Sequence, residues 1–183
     1  MQNEKTLGFI ELPIPKMIFI GGSDEKASEQ YCWYFLGADS QIQGIPHFGL
    51  RGTIEGFRTK RQDFKGKPNY KLDIFLNSDR KYIIRSGIET IFTRGLLLNL
   101  TEYLSSGKDL KTPLIIGVKR GEGNVVFNQT FGDDDKVIRA DWDKDMKLLP
   151  LIWELQKNLG QNLDEANCEE LRPKEKGAKK NEK

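Results

Sequence analysis

From Phe57 to Lys71 the chain reads FRTKRQDFKGKPNYK, setting Arg58, Lys60, Arg61, Lys65, Lys67 and Lys71 against one acid, Asp63, with Phe57, Phe64 and Tyr70 among them. Cations neutralise phosphates and flat rings stack on unpaired bases, so this mixture has the chemistry of a single-stranded polyanion site. The next stretch adds Phe75, which shares the polar side of an alternating segment with Lys71 and Asp73, and then Arg80, Lys81, Tyr82 and Arg85. Lys119 and Arg120, in a later glycine-containing turn, are placed to close the far side of such a cleft.

No comparable set of residues points to catalysis. His47 is the only histidine, and no Ser, Cys or carboxylate stands near it in a triad or metal pattern. Cys32 and Cys168 are far apart and outside any CxxC, which excludes a disulfide framework or a zinc motif and points to a reducing, cytoplasmic compartment. The acids at 133–135 and 141–145 fail the calcium-loop pattern. Counted from Asp141, Met146 stands where glycine is needed and Ile152 where glutamate is needed. Asp73 and Glu89 are isolated carboxylates without the spacing of a nuclease centre. The expectation is a non-enzymatic protein with no metal and no cofactor.

The elements that must carry these side chains follow from periodicity. Phe48 to Phe57 alternates Leu50, Gly52, Ile54 and Gly56 against Arg51, Thr53 and Glu55, the pattern of a half-buried strand. Asn69 to Leu76 alternates Tyr70, Leu72, Ile74 and Leu76 against Lys71, Asp73 and Phe75, and KYIIR at 81–85 completes a hairpin with it. From Thr90 to Ser106 the period lengthens, with Phe92, Leu96, Leu100 and Tyr103 on one stripe, Thr90 as the N-cap and Gly107 as the stop. Two short β-forming runs follow, PLIIGV from Pro113 and VVFNQTF from Val125.

Strand, strand, strand, helix, strand, strand over residues 48–131 resembles the OB-fold, a five-stranded Greek-key barrel with one helix between its third and fourth strands. The resemblance implies a mainly β protein. It also implies that nucleic acid lies on the outer face of the second and third strands and on the loops joining strands one to two and four to five. Those regions hold Phe57, Arg58, Lys60, Arg61, Phe64, Lys65, Lys67, Lys71, Phe75, Arg80, Lys81, Tyr82, Arg85, Lys119 and Arg120. In layout the chain is similar to single-stranded-DNA-binding proteins, although it closes on KKNEK where the bacterial type has an acidic, hydrophobic tip.

Charge divides the chain in the same places. The net charge of +2 over 183 residues conceals −3 over residues 1–50, +7 over 51–131, −6 over 132–171 and +4 over 172–183. Residues 1–47 are expected to pack on the barrel or add a strand to it, with YCWYFL at 31–36 as the strand candidate. Residues 132–171 form an acidic segment with an amphipathic helix at 148–159, which either packs on the barrel or joins subunits or a protein partner. The tail 172–183 is too polar to bury anything and is expected to be a disordered basic arm. The N-terminus lacks the pattern of a secretory peptide, and no apolar run approaches the roughly 20 residues of a membrane span. The leading expectation is a non-catalytic protein that binds single-stranded DNA or RNA with little sequence preference. The alternative is a protein-interaction adaptor on a small β-barrel.

Overall fold

A computed structural model describes residues 14–21 and 31–174. In chain order these form β1 (Lys16–Ile20), β2 (Trp33–Leu36), β3 (Ile42–Gly44), β4 (Gly49–Arg61), β5 (Tyr70–Asn77), β6 (Lys81–Gly87), α1 (Ile91–Ser105), β7 (Leu114–Arg120), β8 (Val126–Phe131), β9 (Val137–Ile138), α2 (Leu148–Asn158), α3 (Leu163–Ala166) and a single 3-10 turn at Glu169–Leu171. The strands make one nine-stranded mixed sheet in the order β3-β2-β1-β6-β5-β4-β7-β8-β9.

The protein is mainly β, but the sheet is open where a closed five-stranded barrel was expected. The outer edge of β6 is taken by β1 in a parallel pairing, Met17 opposite Ile83 and Phe19 opposite Arg85. The N-terminal segment thus contributes three strands, because β2 pairs with β1 and β3 with β2. β1 has apolar residues on both faces, as a strand buried between neighbours needs.

β4 runs four residues further than its alternation suggests, and a bulge is the reason. The register with β5 shifts between Ile54 and Gly56, so the inward positions change from Gly52 and Ile54 to Phe57 and Thr59. Phe57 is therefore fully buried, and Arg58, Lys60 and Arg61 stand on the strand itself rather than in a loop. At Gly52 the strands approach so closely that a Cβ would lie 2.7 Å from the Asn77 carbonyl oxygen. That position excludes a side chain.

The inward face of β4, β5 and β6 carries Phe57, Leu72, Ile74, Leu76 and Ile84, all inaccessible to solvent. Against it pack Phe92, Leu96 and Leu100 of α1 and Ile152 and Leu155 of α2. At about 1.5–3 kcal/mol per buried side chain, this interface carries much of the driving force for folding. Helix α1 matches its sequence signals closely: the Thr90 hydroxyl accepts from the Thr93 amide, and Gly107 takes φ +80° just beyond the end. The apolar stripe of α2 packs on the chain's own core through Leu148, Ile152 and Leu155.

The C-terminal segment is fixed to the free side of β4 by amide side chains. Gln161 accepts from the Phe57 amide at 2.8 Å and donates to the Phe57 carbonyl at 3.1 Å, replacing a missing neighbouring strand. Gln156 donates to the same carbonyl, and Asn167 exchanges bonds with Gln156 and accepts from the Thr59 hydroxyl. Left open, each of those buried backbone groups would cost about 1–3 kcal/mol. Of the tail expected to be a basic arm, residues 175–183 lie outside the described residues.

Candidate nucleic-acid interface

On the outer face, strand registers align five side chains in one transverse row. Arg58 lies opposite Asp73, Asp73 opposite Arg85, Arg85 opposite Phe19, and Phe19 opposite Tyr34. With strands about 4.8 Å apart, the row crosses roughly 20 Å of sheet from β4 to β2. It reads cation, anion, cation, ring, ring.

Asp73 is the fixed point of this row. Its carboxylate is wholly buried and accepts from Arg85 Nε at 2.6 Å, from Arg85 Nη2 at 2.8 Å and from Arg58 Nη2 at 2.9 Å. Burial alone would push its carboxyl up, but the bonds from Arg85 and Arg58 outweigh that and hold it below the usual range. Arg85 is raised in turn, chiefly by its bond to Asp73. Two guanidiniums around one carboxylate leave a net positive charge held rigidly on the sheet, with spare N–H donors. Arg58 also lies over the Phe75 ring at 5.1 Å.

The aromatic half of the row is equally ordered. Phe19 and Tyr34 stack at 5.5 Å between centroids, and Tyr31 meets Tyr34 edge-on at 5.9 Å. Opposite them rises the β4–β5 hairpin, whose tip closes through paired Phe64 and Lys67 backbone bonds with Lys65 and Gly66 at φ 50° and 74°. Two successive left-handed residues give the twist that tight hairpins favour, and they throw the Phe64 ring outward, 61% exposed. Lys65 places its ammonium 5.4 Å from that ring. Between these jaws lies a cleft of about 270 Å³ lined by Phe19, Tyr34, Phe64, Lys71 and Arg85.

Lys60 and Lys71 stand directly opposite each other on β4 and β5. Like charges in that position repel, and neither ammonium has an ion-pair partner among the described residues. A bound phosphate would relieve the repulsion. Lys67 and Arg80 are also without an ion pair among the described residues, whereas Arg61 is held by Asp63 at 2.8 Å and Glu170 at 2.6 Å. Glu170 is kept below its usual range mainly by that Arg61 bond.

The remaining residues singled out from sequence are distributed elsewhere. Phe57 and Tyr82 turn to the core side: Phe57 is buried, and Tyr82 packs half-buried with its hydroxyl on Asp79. They offer no stacking face, because the β4 bulge inverts one and the pairing of Tyr82 with Leu76 fixes the other. Lys81 is paired with Glu55 at 3.1 Å, at the far end of the strands. Arg120 donates to the Tyr31 carbonyl at 3.3 Å and so braces the aromatic cluster from behind. Lys119 lines a separate groove with Phe127 and Trp142 between α1 and β8. The acids at 133–135 pair with Lys108, Lys136 and Arg51, away from the row.

Phe19 and Tyr34 are the members that sequence reasoning missed. The signal was present in the alternation of WYFL, where Trp33 and Phe35 turn inward and Tyr34 and Leu36 outward. Among the described residues no group of His, Cys, Asp and Glu is arranged to hold a metal, and no helix is long and apolar enough to cross a membrane. Comparison with protein-family models, with curated proteins and with solved structures finds no match to this chain.

Proposed function

We propose that this protein binds single-stranded nucleic acid, with single-stranded DNA as the first candidate, without catalysing any reaction on it. The observation that carries the reading is the transverse row on the outer face, in which guanidiniums fixed by buried Asp73 continue into the stacked rings of Phe19 and Tyr34. Phosphates would lie along Arg58, Arg85, Lys60 and Lys71, and bases would stack between the Phe19–Tyr34 pair and Phe64. The surface reads backbone and ring faces, which every base presents, so the row itself is sequence-tolerant.

The sheet order supports the same reading. β6-β5-β4-β7-β8, with α1 between β6 and β7, is the strand order of an OB-fold without the closing pair, and β1 occupies the edge at which closure would occur. We read the core as an OB-like sheet opened by an N-terminal insertion of strands, which widens the binding face from two strands to five. A protein-interaction adaptor is the second reading, favoured by exposed Phe127, Val137 and Trp142 around the α1–β8 groove.

Gel shifts with single-stranded DNA, single-stranded RNA and duplex DNA separate the two. Four to six neutralised phosphates give a log–log salt slope of about −3 to −4 on single strands, so affinity is expected to fall about a hundredfold between about 50 and 200 mM salt. Duplex is expected to bind more weakly, because its bases are stacked on each other and unavailable to the rings. Binding that is insensitive to salt, or no binding to either single strand, would overturn the reading.

A further inference from the structure

Sheet order leaves one edge unfinished. Outside β8 lies only β9, and the two pair at Thr130 and Phe131 alone, so among the described residues Val126 to Gln129 have no strand on their outer side. β9 stops where the chain is drawn onto α1: the Asn99 side chain accepts from the Ala140 amide at 3.1 Å, and Arg94 donates to the Asp143 and Met146 carbonyls. The four free residues, VFNQ, span roughly 13 Å and carry none of the charges or prolines that normally keep an edge from pairing. At the opposite edge β3 has only three residues, and Pro46 follows it closely.

Beside the free edge runs the groove of about 260 Å³ between β8 and α1. Gly95 lines it from the middle of α1. After proline, glycine is the least favourable residue in a helix interior, and the chain's own packing does not require it here, because a Cβ would have Asn128 Cβ as its nearest contact at an ordinary 3.5 Å. What glycine provides is open space above the helix. Trp142 and Phe127, 55% and 43% exposed, add apolar surface. Lys119 and Arg139 add two cations, neither with an ion pair among the described residues, and no carboxylate lines the groove.

We infer that an acidic, extended segment of a partner protein adds as a strand to β8 along Val126 to Gln129, with apolar side chains toward α1 and carboxylates on Lys119 and Arg139. Main-chain bonds to the free edge supply affinity, and the alternate side chains supply choice, as in other strand additions. Two unpaired cations over an apolar groove favour an acidic segment and repel a basic one. None of these residues belongs to the row from Arg58 to Tyr34, so the inference goes beyond the single-strand reading and does not depend on it.

The test titrates the full chain into a fluorescein-labelled peptide of about eight residues that alternates valine and aspartate, an ordinary strand length. Two further probes carry lysine in place of each aspartate, or N-methyl groups on the central backbone amides. The acidic probe is expected to bind at least about tenfold more tightly than either. Gly95→Leu, which fills the groove with a better helix former, should lose the acidic probe while melting no earlier than the parent and binding oligo-dT as before. Lys119→Glu combined with Arg139→Glu should reverse the preference toward the lysine probe. Acidic and lysine probes bound alike would overturn the acidic partner, and equal binding of the methylated probe would overturn strand addition. A parent that binds none of the peptides would overturn both, and its oligo-dT affinity, measured in parallel, shows separately whether the single-strand reading stands. A parent that sediments as a dimer, with Gly95→Leu a monomer, would give the groove to a second copy and overturn the inference.

Discussion

Replacing Phe19 and Tyr34 together by leucine is expected to weaken oligo-dT binding by at least roughly 30-fold, the low end for two lost stacking contacts. Each stacked base contributes about 1–3 kcal/mol, and every 1.4 kcal/mol is a factor of ten. Leucine keeps the apolar volume of two half-buried positions but removes the flat face, so the loss reports stacking rather than unfolding. The two rings stack on each other at 5.5 Å, so the double variant should differ from the sum of the singles. Because no charge is altered, the salt slope should remain. Trp142→Ala, in the groove between α1 and β8, serves as the comparison and should bind normally. Fluorescence anisotropy over a series of salt concentrations, with melting temperatures for each variant, reads all of these. Normal binding by a folded double variant would remove stacking from the mechanism.

Asp73→Ala is expected to cause the largest loss of stability. Removing the buried carboxylate leaves Arg85, whose side chain is only 14% exposed, without its partner, and uncompensated buried charge costs about 3–5 kcal/mol. Arg58 is 44% exposed and can turn to water, so the lower end of that range is the expectation. The same carboxylate sets a pH dependence. Its folded pKa lies below its unfolded one, so its stabilisation is present at neutral pH and disappears as pH falls through the folded value, below about 4. The variant should therefore show a shallower loss of stability on the acid side than the parent. Denaturant titrations at a series of pH values measure both effects. An unchanged midpoint would mean that the two arginines do not depend on Asp73.

The chemistry of the hairpin was legible because it is local. Six cations and three rings in one short stretch show in the sequence wherever the backbone runs, and Phe64, Lys65, Lys67 and Lys71 do line or flank the cleft. The helix with Thr90 and Gly107 was legible for the same reason, since caps act within one turn. Three things were not. The bulge at β4 reversed Phe57, because a single unpaired residue changes the period without changing composition. The parallel pairing of β1 with β6 joins segments some 65 residues apart, and no local pattern announces it. That pairing also resolves Ile83 and Ile84: Ile84 faces the core, and Ile83 is covered on the opposite face between Phe75 and Met17. Phe19 and Tyr34 became part of the candidate site only through those added strands. The cations Arg58, Lys60, Lys71 and Arg85 share one face of the sheet, but the sequence charge gives no sign of the rings that β1 and β2 add beside them.

The most direct test of the binding surface is photo-crosslinking with oligo-dT carrying halogenated uracil, followed by peptide mapping of the full chain. Crosslinks require a base stacked against a ring, so the adducts are expected on Phe19, Tyr34 and Phe64. Adducts confined to Phe127 or Trp142, with none on those three rings, would place the strand in the groove between α1 and β8 and contradict the assignment of the outer face.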